Sequence, residues 1–429
     1  LYIYMHLEIG TRYISRRLAI LELDTKEYMV QDETLVEELR IDKPANVNLV
    51  RFLSNQVSFP VYGDTKTKYF PLGEDKFEEL LIQLKRAEKF IFLEYFIVEE
   101  GIMWNAVLNI LRQKVEEGVE VRFMYDGMCS MDQLPYNYPK RMHAVGIQCK
   151  MFSPIRPILS THQNNRDHRK ILVIDGRVGF TGGVNLADEY INRKERFGHW
   201  KDTAIMIEGD AVQSMTMMFL QMWNINVKQT ERFDQYLTVK SDTRKRELGY
   251  VIPYGDSPFD NENVGEEVYF HIINHAKKYV HIMSPYLIVD NEMLTTLTYT
   301  AKCGVEVIII VPNIPDKRYV FDVGKTYYTE LIEAGVHIYE YTPGFVHAKV
   351  FVSDDDTATV GTINLDYRSF YLHFECGVFI YKNPTVQDIE QDFQNTLKKC
   401  KKVTIEDVRN RSRRSKIVGN LMRLFAPLL

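Results

Sequence analysis

The stretch DHRKILVIDGRVGFTGGVN, from Asp167 to Asn185, has a counterpart in VHAKVFVSDDDTATVGTIN, from Val346 to Asn364. Each copy holds His-x-Lys, an Asp after four intervening residues, and a Gly-containing tail that ends on Asn. The first supplies His168, Lys170, Asp175 and Asn185; the second supplies His347, Lys349, Asp354 and Asn364. Side chains two residues apart on a β-strand leave the same face, so each His and its Lys are expected to point at one spot. ILVID and VFVSD are rich in β-branched and aromatic residues and read as strands, with Asp175-Gly176 as a turn and VGFTGG as a returning strand. Asp175 and Asp354 complete the candidate catalytic motif. Their parity is opposite to that of the histidines and they sit at the turn, which assigns them to holding the hairpin. Asn185 and Asn364, at the end of the returning strand, come back beside the His and Lys of their own hairpin.

The duplication extends upstream. AEKFIFLEYFIV from Ala87 resembles AKKYVHIMSPYLIV from Ala276, EEGVEVRFMYD from Glu116 resembles KCGVEVIIIVP from Lys302, and AVGIQCKMF from Ala144 resembles EAGVHIYEY from Glu333. Each half therefore offers a strand, a helix, a strand, a loop and helix, a strand, and then the His-x-Lys hairpin. This alternation predicts an α/β fold of two similar α-β-α layered domains. The expected organisation is a leader over residues 1–62, domains over 63–240 and 241–402, and a basic amphipathic tail over 403–429, with the boundary in the charged, turn-rich stretch Val239–Asn263. Neither half holds a complete set of groups, so the two hairpins are expected to meet across a pseudo-twofold interface.

Two imidazoles, two ammonium groups and two carboxamides suit a tetrahedral oxyanion. Lys170 and Lys349 supply charge and Asn185 and Asn364 supply donors, each charge-assisted hydrogen bond contributing about 1.5–3 kcal/mol. A phosphodiester is the obvious guest. One His can attack phosphorus while the other protonates the leaving oxygen, which divides the displacement into two steps through a phosphohistidine. The two roles require opposite protonation states, which an unperturbed imidazole pKa of about 6.5 allows near neutrality, and predict a bell-shaped pH profile. Each ring also needs a carboxylate to orient it; Asp202 in GHWKDTA and Glu375 in HFECGVF, following the two motifs at similar distances, are the candidates. A lone His on an apolar strand is usually a hydrogen-bonded structural residue. The catalytic reading rests on there being two extended copies.

From about Gly63 to Leu429 the chain resembles the phospholipase D superfamily, and within it the bacterial-type cardiolipin synthases. RDHRKILVIDGRVGFTGGVNLADEY, FGHWKDTAIMIEG and VHAKVFVSDDDTATVGTINLDYRSFYLHFECGVFIY have the order and spacing of that subfamily, as do the upstream FLEYFIV and VRFMYDGM. GVNLADEY with GHWKDT, and INLDYRSF with the NFE-like HFEC, are specific to the synthases, whereas VFVSDD departs from a more apolar stretch and places Ser353 at an ordinarily apolar strand position. The resemblance implies transfer of a phosphatidyl group from one phosphatidylglycerol to another with release of glycerol. No metal or nucleotide cofactor is implied, since the donor's phosphodiester energy is retained in the product. The superfamily's usual order implies His168 as nucleophile and His347 as acid and later base. Arg166 and Arg368 flank the motifs, either as charge for a second headgroup or as structural ion pairs. A hydrolase of the same superfamily, phospholipase or nuclease with water as acceptor, would use the same residues; a non-catalytic lipid binder would not need both motifs intact.

Lys plus Arg total 53 against 58 Asp plus Glu, a net charge of −5, so no overall basic character draws the chain to nucleic acid. Cys129, Cys149, Cys303, Cys376 and Cys400 form no CxxC pair and no His/Asp/Glu run has metal-ligand spacing. Scattered cysteines of this kind fit a reducing compartment, and with the implied phosphatidylglycerol and anionic lipid partners they place the catalytic domains on the cytoplasmic side of a cell membrane. No segment has the 18 or so uninterrupted apolar residues a span requires. The resemblance implies a membrane anchor ahead of Leu1. At the other end, Arg409, Arg411, Arg413, Arg414 and Lys416 precede a helical stripe of Ile417, Leu421, Leu424, Phe425 and Leu428, which is suited either to an anionic lipid surface or to the protein's own core.

Overall fold

A computed structural model describes residues 12–154, 164–227, 230–237 and 247–426. The repeated hairpins form as the sequence predicts. Lys170–Ile174 pairs antiparallel with Val178–Gly182, and Val350–Ser353 with Thr357–Gly361. Asp175 and Gly176 turn the first hairpin with φ of 54° and 63°; Asp354 and Asp355 turn the second with 54° and 64°. Asp tolerates the left-handed region better than most residues, so Asp-Asp does in one half what Asp-Gly does in the other.

Each hairpin lies at the middle of its own sheet. The first sheet has seven strands, in the order Thr65–Phe70, Ala204–Gly209, Val178–Gly182, Lys170–Ile174, Phe90–Tyr95, Glu120–Asp126 and Gln148–Phe152. The second repeats that order with Tyr250–Asp256, His373–Tyr381, Thr357–Gly361, Val350–Ser353, Tyr279–Met283, Glu306–Pro312 and His337–Tyr341, and adds Cys400–Lys402 at its far edge. Phe90–Tyr95 and Glu120–Asp126 are parallel to each other, as are Tyr279–Met283 and Glu306–Pro312, whereas each hairpin runs antiparallel to its neighbour. The strands are buried along nearly their whole length, which is why they read as continuous apolar runs. Ser353 keeps its strand position by donating its hydroxyl to the Tyr279 carbonyl at 2.9 Å. Tyr250–Asp256, in the stretch expected to be turn-rich, is a buried edge strand, where Pro253 is tolerated; residues 239–246 of that stretch lie outside the described residues.

The halves join through their hairpin and return strands. Val178–Gly182 lies against Thr357–Gly361 and His373–Tyr381, and Thr181 Oγ1 meets Cys376 Sγ at 3.3 Å. Helix Val212–Asn224, buried along most of its length, packs on strands of both sheets and makes one shared core with Phe92, Val173, Val350 and Val378. Ahead of the first sheet, helices Arg12–Lys26, Glu33–Asp42 and Pro44–Asn55 fasten to both halves. The first packs on Val212–Asn224 and the third on Val264–His275, while Lys43 pairs with Asp356 at 2.9 Å. No helix among the described residues is long and apolar enough to cross a membrane.

Candidate active site

The segments leading into the two histidines cross from one half to the other. Arg166–Asp167 pairs in parallel with His373 and Phe374, and Gly344–Val346 pairs in parallel with His199–Lys201. The histidines extend these ladders: the His168 N–H donates to the Phe374 carbonyl at 2.9 Å, and the His347 N–H to the Lys201 carbonyl at 2.7 Å. The residue after each accepting carbonyl is a carboxylate, Glu375 or Asp202. Each histidine ring therefore meets the acid of the opposite half. His168 Nδ1 lies 2.9 and 3.0 Å from the two Glu375 oxygens, and His347 Nδ1 lies 2.7 Å from Asp202 Oδ2. An ionised carboxylate on Nδ1 holds the proton there and leaves the Nε2 lone pair free.

Both lysines belong to the same buried site. The Lys170 ammonium donates to the His168 carbonyl at 2.5 Å; that of Lys349 donates to the His347 carbonyl and lies 3.0 Å from His347 Nδ1. Each is close enough to feel both Asp202 and Glu375, and Lys170 acts on His347, so the charges of the two motifs act on one another. Asn185 and Asn364 are buried. Asn185 accepts from the Ile97 N–H at 3.0 Å and keeps its Nδ2 without a partner; Asn364 keeps its Oδ1 without one. A buried amide end left open is costly unless a guest completes it, and of these two only the Asn185 Nδ2 can donate to an anion.

Asp175 and Asp354 stand at the far end of the hairpins. Asp175 accepts the backbone N–H groups of Glu88, Lys89 and Phe90 at 2.7–2.9 Å, and Asp354 those of Lys277, Lys278 and Tyr279 at 2.7–3.1 Å. Both tie a turn to the start of the neighbouring strand. Arg166 is a buried structural group, donating to the Ser153 carbonyl at 2.8 Å beside Asp126. Arg368 is half-buried in the short helix Tyr367–Tyr371.

Burial sets the electrostatics. It pushes His168 down to about 3 and His347 down to about 4, both facing carboxylates acting the other way. Burial likewise lowers Lys170 to about 8 and Lys349 to about 7. Burial alone would raise Glu375 and Asp202, yet the imidazoles they face hold both below the usual carboxyl range. Sequence reasoning placed both rings at their unperturbed value because burial is not visible in a motif.

Sequence reasoning also missed the groups that wall the rings. Phe96 stands edge-on to His168 at 4.8 Å between centroids, and Tyr190 and Trp200 lie 5.5 and 5.3 Å from His347. Thr362 donates its hydroxyl to Glu375 at 2.5 Å. His373 lies 5.5 Å from the His168 ring, with its Nδ1 3.7 Å from Glu375 and neither nitrogen hydrogen-bonded. It lies in HFEC, which the sequence reading took only as part of the resemblance. His168, His373 and Glu375 bring ligating atoms within 4.8 Å of one another, a grouping that linear spacing hides because His168 comes from the other half.

Residues 80–223 and 269–397 match the family model described as cardiolipin synthase, PLD-like domain. An uncharacterized protein of Streptococcus mutans serotype c is 54% identical over 404 residues, 94% of this chain and 87% of that one. A cardiolipin synthase of Alkalihalophilus pseudofirmus is 38% identical over 371 residues, 86% of this chain and 73% of that one. Among solved structures, a phosphatidylserine synthase of Haemophilus influenzae Rd KW20 shares the fold with a TM-score of 0.69 at 14% identity, over 90% of this chain and 99% of that one.

Proposed function

Because the chain belongs to the cardiolipin synthase family of PLD-like domain proteins, we propose that it makes cardiolipin by transferring a phosphatidyl group between two phosphatidylglycerol molecules. His168 Nε2 attacks phosphorus, the bond to the glycerol oxygen breaks, and His347 as imidazolium gives that oxygen its proton. Glycerol leaves and a phosphatidyl-histidine remains. The headgroup hydroxyl of a second phosphatidylglycerol then attacks phosphorus, neutral His347 takes its proton, and the P–N bond breaks to restore His168. Lys170, Lys349, Asn185 and Asn364 hold the non-bridging oxygens. Glu375 and Asp202 orient the rings and support their positive charge in the two transition states. The enzyme works at a membrane, since its substrates are bilayer lipids.

The observation that carries this reading is the crossed pairing of His168 with Glu375 and His347 with Asp202. It supports a single site built from both halves, with each imidazole held by an acid from the opposite half. A neutral His168 fits a nucleophile. A phosphodiester anion at the site favours the imidazolium that His347 needs, offsetting the effect of burial.

The test is turnover of labelled phosphatidylglycerol in detergent micelles with chelator present. Cardiolipin and glycerol in equal amounts are expected. Phosphatidic acid alone would make water the acceptor and the enzyme a hydrolase. A reaction that stops on adding chelator would overturn the metal-free mechanism and turn attention to His168, His373 and Glu375 as ligands.

A further inference from the structure

The apolar stripe near the C-terminus does not face the protein. In helix Arg413–Arg423, Ile417 and Leu421 are 67% and 57% exposed, and Leu424, on the same face just beyond it, is 75% exposed. The inward face carries Ser415, Gly419 and Met422, the last packed against the core of the second half. Gly419 is the buried position, and a Cβ there would stand 2.6 Å from the Asp322 carbonyl oxygen, while Ser415 and Arg411 both reach Asp322 Oδ1. The helix is thus fixed on the side opposite Ile417 and Leu421. Leu428 lies outside the described residues.

Charge and position define what covers the exposed face. After Asp407 the chain carries Arg409, Arg411, Arg413, Arg414, Lys416 and Arg423 and no further acid, against a net charge of −5 for the whole. The helix packs on Arg318–Gly324, which follows strand Glu306–Pro312 and touches Leu287–Ile288. Leu287–Ile288 pairs with Leu365–Asp366, the residues directly after Asn364. The helix therefore stands on the histidine-bearing edge of the second sheet, two elements away from Asn364. In the first half the segment after the equivalent strand, Glu120–Asp126, exposes Met131 and Tyr136, and its Asp126 accepts the Asp167 N–H beside His168 at 3.0 Å. Both halves present apolar side chains at the edge where the histidines lie.

We propose that helix Arg413–Arg423 lies in the surface of an anionic bilayer, with Ile417, Leu421 and Leu424 at the acyl boundary and Arg413, Arg414 and Lys416 among the headgroups. Exposed apolar residues beside cations are the physical signature of an interfacial helix. The site then opens onto the layer that holds its substrate. The inference rests on the proposed function only in that the substrate is a membrane lipid.

The experiment sediments the chain with vesicles of equal phosphatidylglycerol and phosphatidylcholine, and with pure phosphatidylcholine, comparing it with the triple variant Ile417→Asp, Leu421→Asp, Leu424→Asp. The wild-type chain is expected to bind the anionic vesicles and the variant to bind them about tenfold or more weakly. Turnover of phosphatidylglycerol in detergent micelles should be the same for both, because none of the three residues touches the cleft. Equal vesicle binding by variant and wild type would overturn the proposal, as would equal wild-type binding to pure phosphatidylcholine. Self-association without lipid that the variant abolishes would also overturn it, since a second copy would then cover the face. Normal vesicle binding with no cardiolipin formed would sink the proposed reaction and leave the helix assignment standing.

Discussion

His373 stands against His168 as Trp200 stands against His347, with ring centroids 5.5 and 5.3 Å apart and interplanar angles of 38° and 44°. The two positions are equivalent, each one residue before the carbonyl that receives the motif histidine's N–H and two before the carboxylate that meets its ring. One half thus offers an imidazole where the other offers an indole. The acids differ as well: Glu375 meets His168 with both oxygens and is held by Thr362, whereas Asp202 meets His347 with one. The backbone repeats and the side chains that touch the rings do not. A symmetric frame brings two histidines to one site, and asymmetric neighbours can then give them different tasks.

The sharpest way to break that comparison is to remove each ring. His168→Ala and His347→Ala should each lower turnover by about 10⁴-fold or more, since each removes a group both steps require. The distinction lies in acid-quenched protein after mixing with donor labelled in the phosphatidyl group. His347→Ala should retain protein-bound label and His168→Ala should not; label on His168→Ala alone would reverse the roles. Removing only the charge of the crossed acids comes next. Glu375→Gln and Asp202→Asn should each cost about 10³-fold in kcat, by weakening the control of tautomer and orientation. The Glu375 variant should slow formation of the labelled protein more than its decay. If instead Asp202→Asn had that effect, the acid would be serving the other ring.

The pH profile is the third test. His168 must be neutral, and with its pKa lowered to about 3 that form is lost only as pH falls through that value. Lys349 and Lys170 must be charged, and with pKa values lowered to about 7 and about 8 the charge is lost as pH rises through that window. His347 as acid also favours lower pH, its value being about 4 before an anion binds. kcat/KM should therefore fall between pH 7 and 9, by about tenfold or more, while kcat holds to higher pH because the bound phosphodiester stabilises the cations. A kcat/KM that rises over that range would mean that the nucleophile is not already neutral. A smaller effect is expected from His373→Asn, about tenfold in kcat/KM with the melting temperature unchanged, since its ring lies against His168 with neither nitrogen hydrogen-bonded within the protein. A fall in melting temperature with unchanged kinetics would make His373 structural.

How far the sequence could be read depends on which interactions are local. The hairpins are short-range objects, strand, turn and strand, and their residues carry β propensity and turn chemistry, so both were legible from Asp167 and Val346 onward. The repeat of Ala87–Val98 in Ala276–Val289 showed the order of elements along each half, but not the order of strands within the sheets. Asp202 and Glu375 were identifiable as carboxylates after each motif, but not the ring each faces. That is decided by Arg166–Asp167 and Gly344–Val346, strands of two and three residues whose partners lie in the other half. Such ladders have no periodicity to detect. Tyr250–Asp256 was hidden for a related reason, since its Pro and Gly read as turn residues although Pro is tolerated on an edge strand.

The smallest expected difference between the halves lies at the hairpin turns. Asp175 and Asp354 each accept three backbone N–H groups and each hold a φ of 54°. Replacement by Ala removes the acceptor and puts a residue with a poor left-handed preference at the turn, together about 2 kcal/mol of stability. The second turn has a further tie: the Tyr279 hydroxyl donates to Asp355 and accepts the Asp355 N–H, each at 3.0 Å. Gly176, at the equivalent place, has no side chain to make one. Asp175→Ala should therefore destabilise more than Asp354→Ala, by about 0.5–1 kcal/mol in urea denaturation. Both variants should keep wild-type kcat while folded, and Asp→Asn at either turn should recover part of the loss, because Asn retains an acceptor oxygen and tolerates positive φ. A folded Asp175→Ala or Asp354→Ala protein with a hundredfold lower kcat would place these carboxylates in the chemistry, against the geometry that puts them at the opposite end of the strand from the histidines.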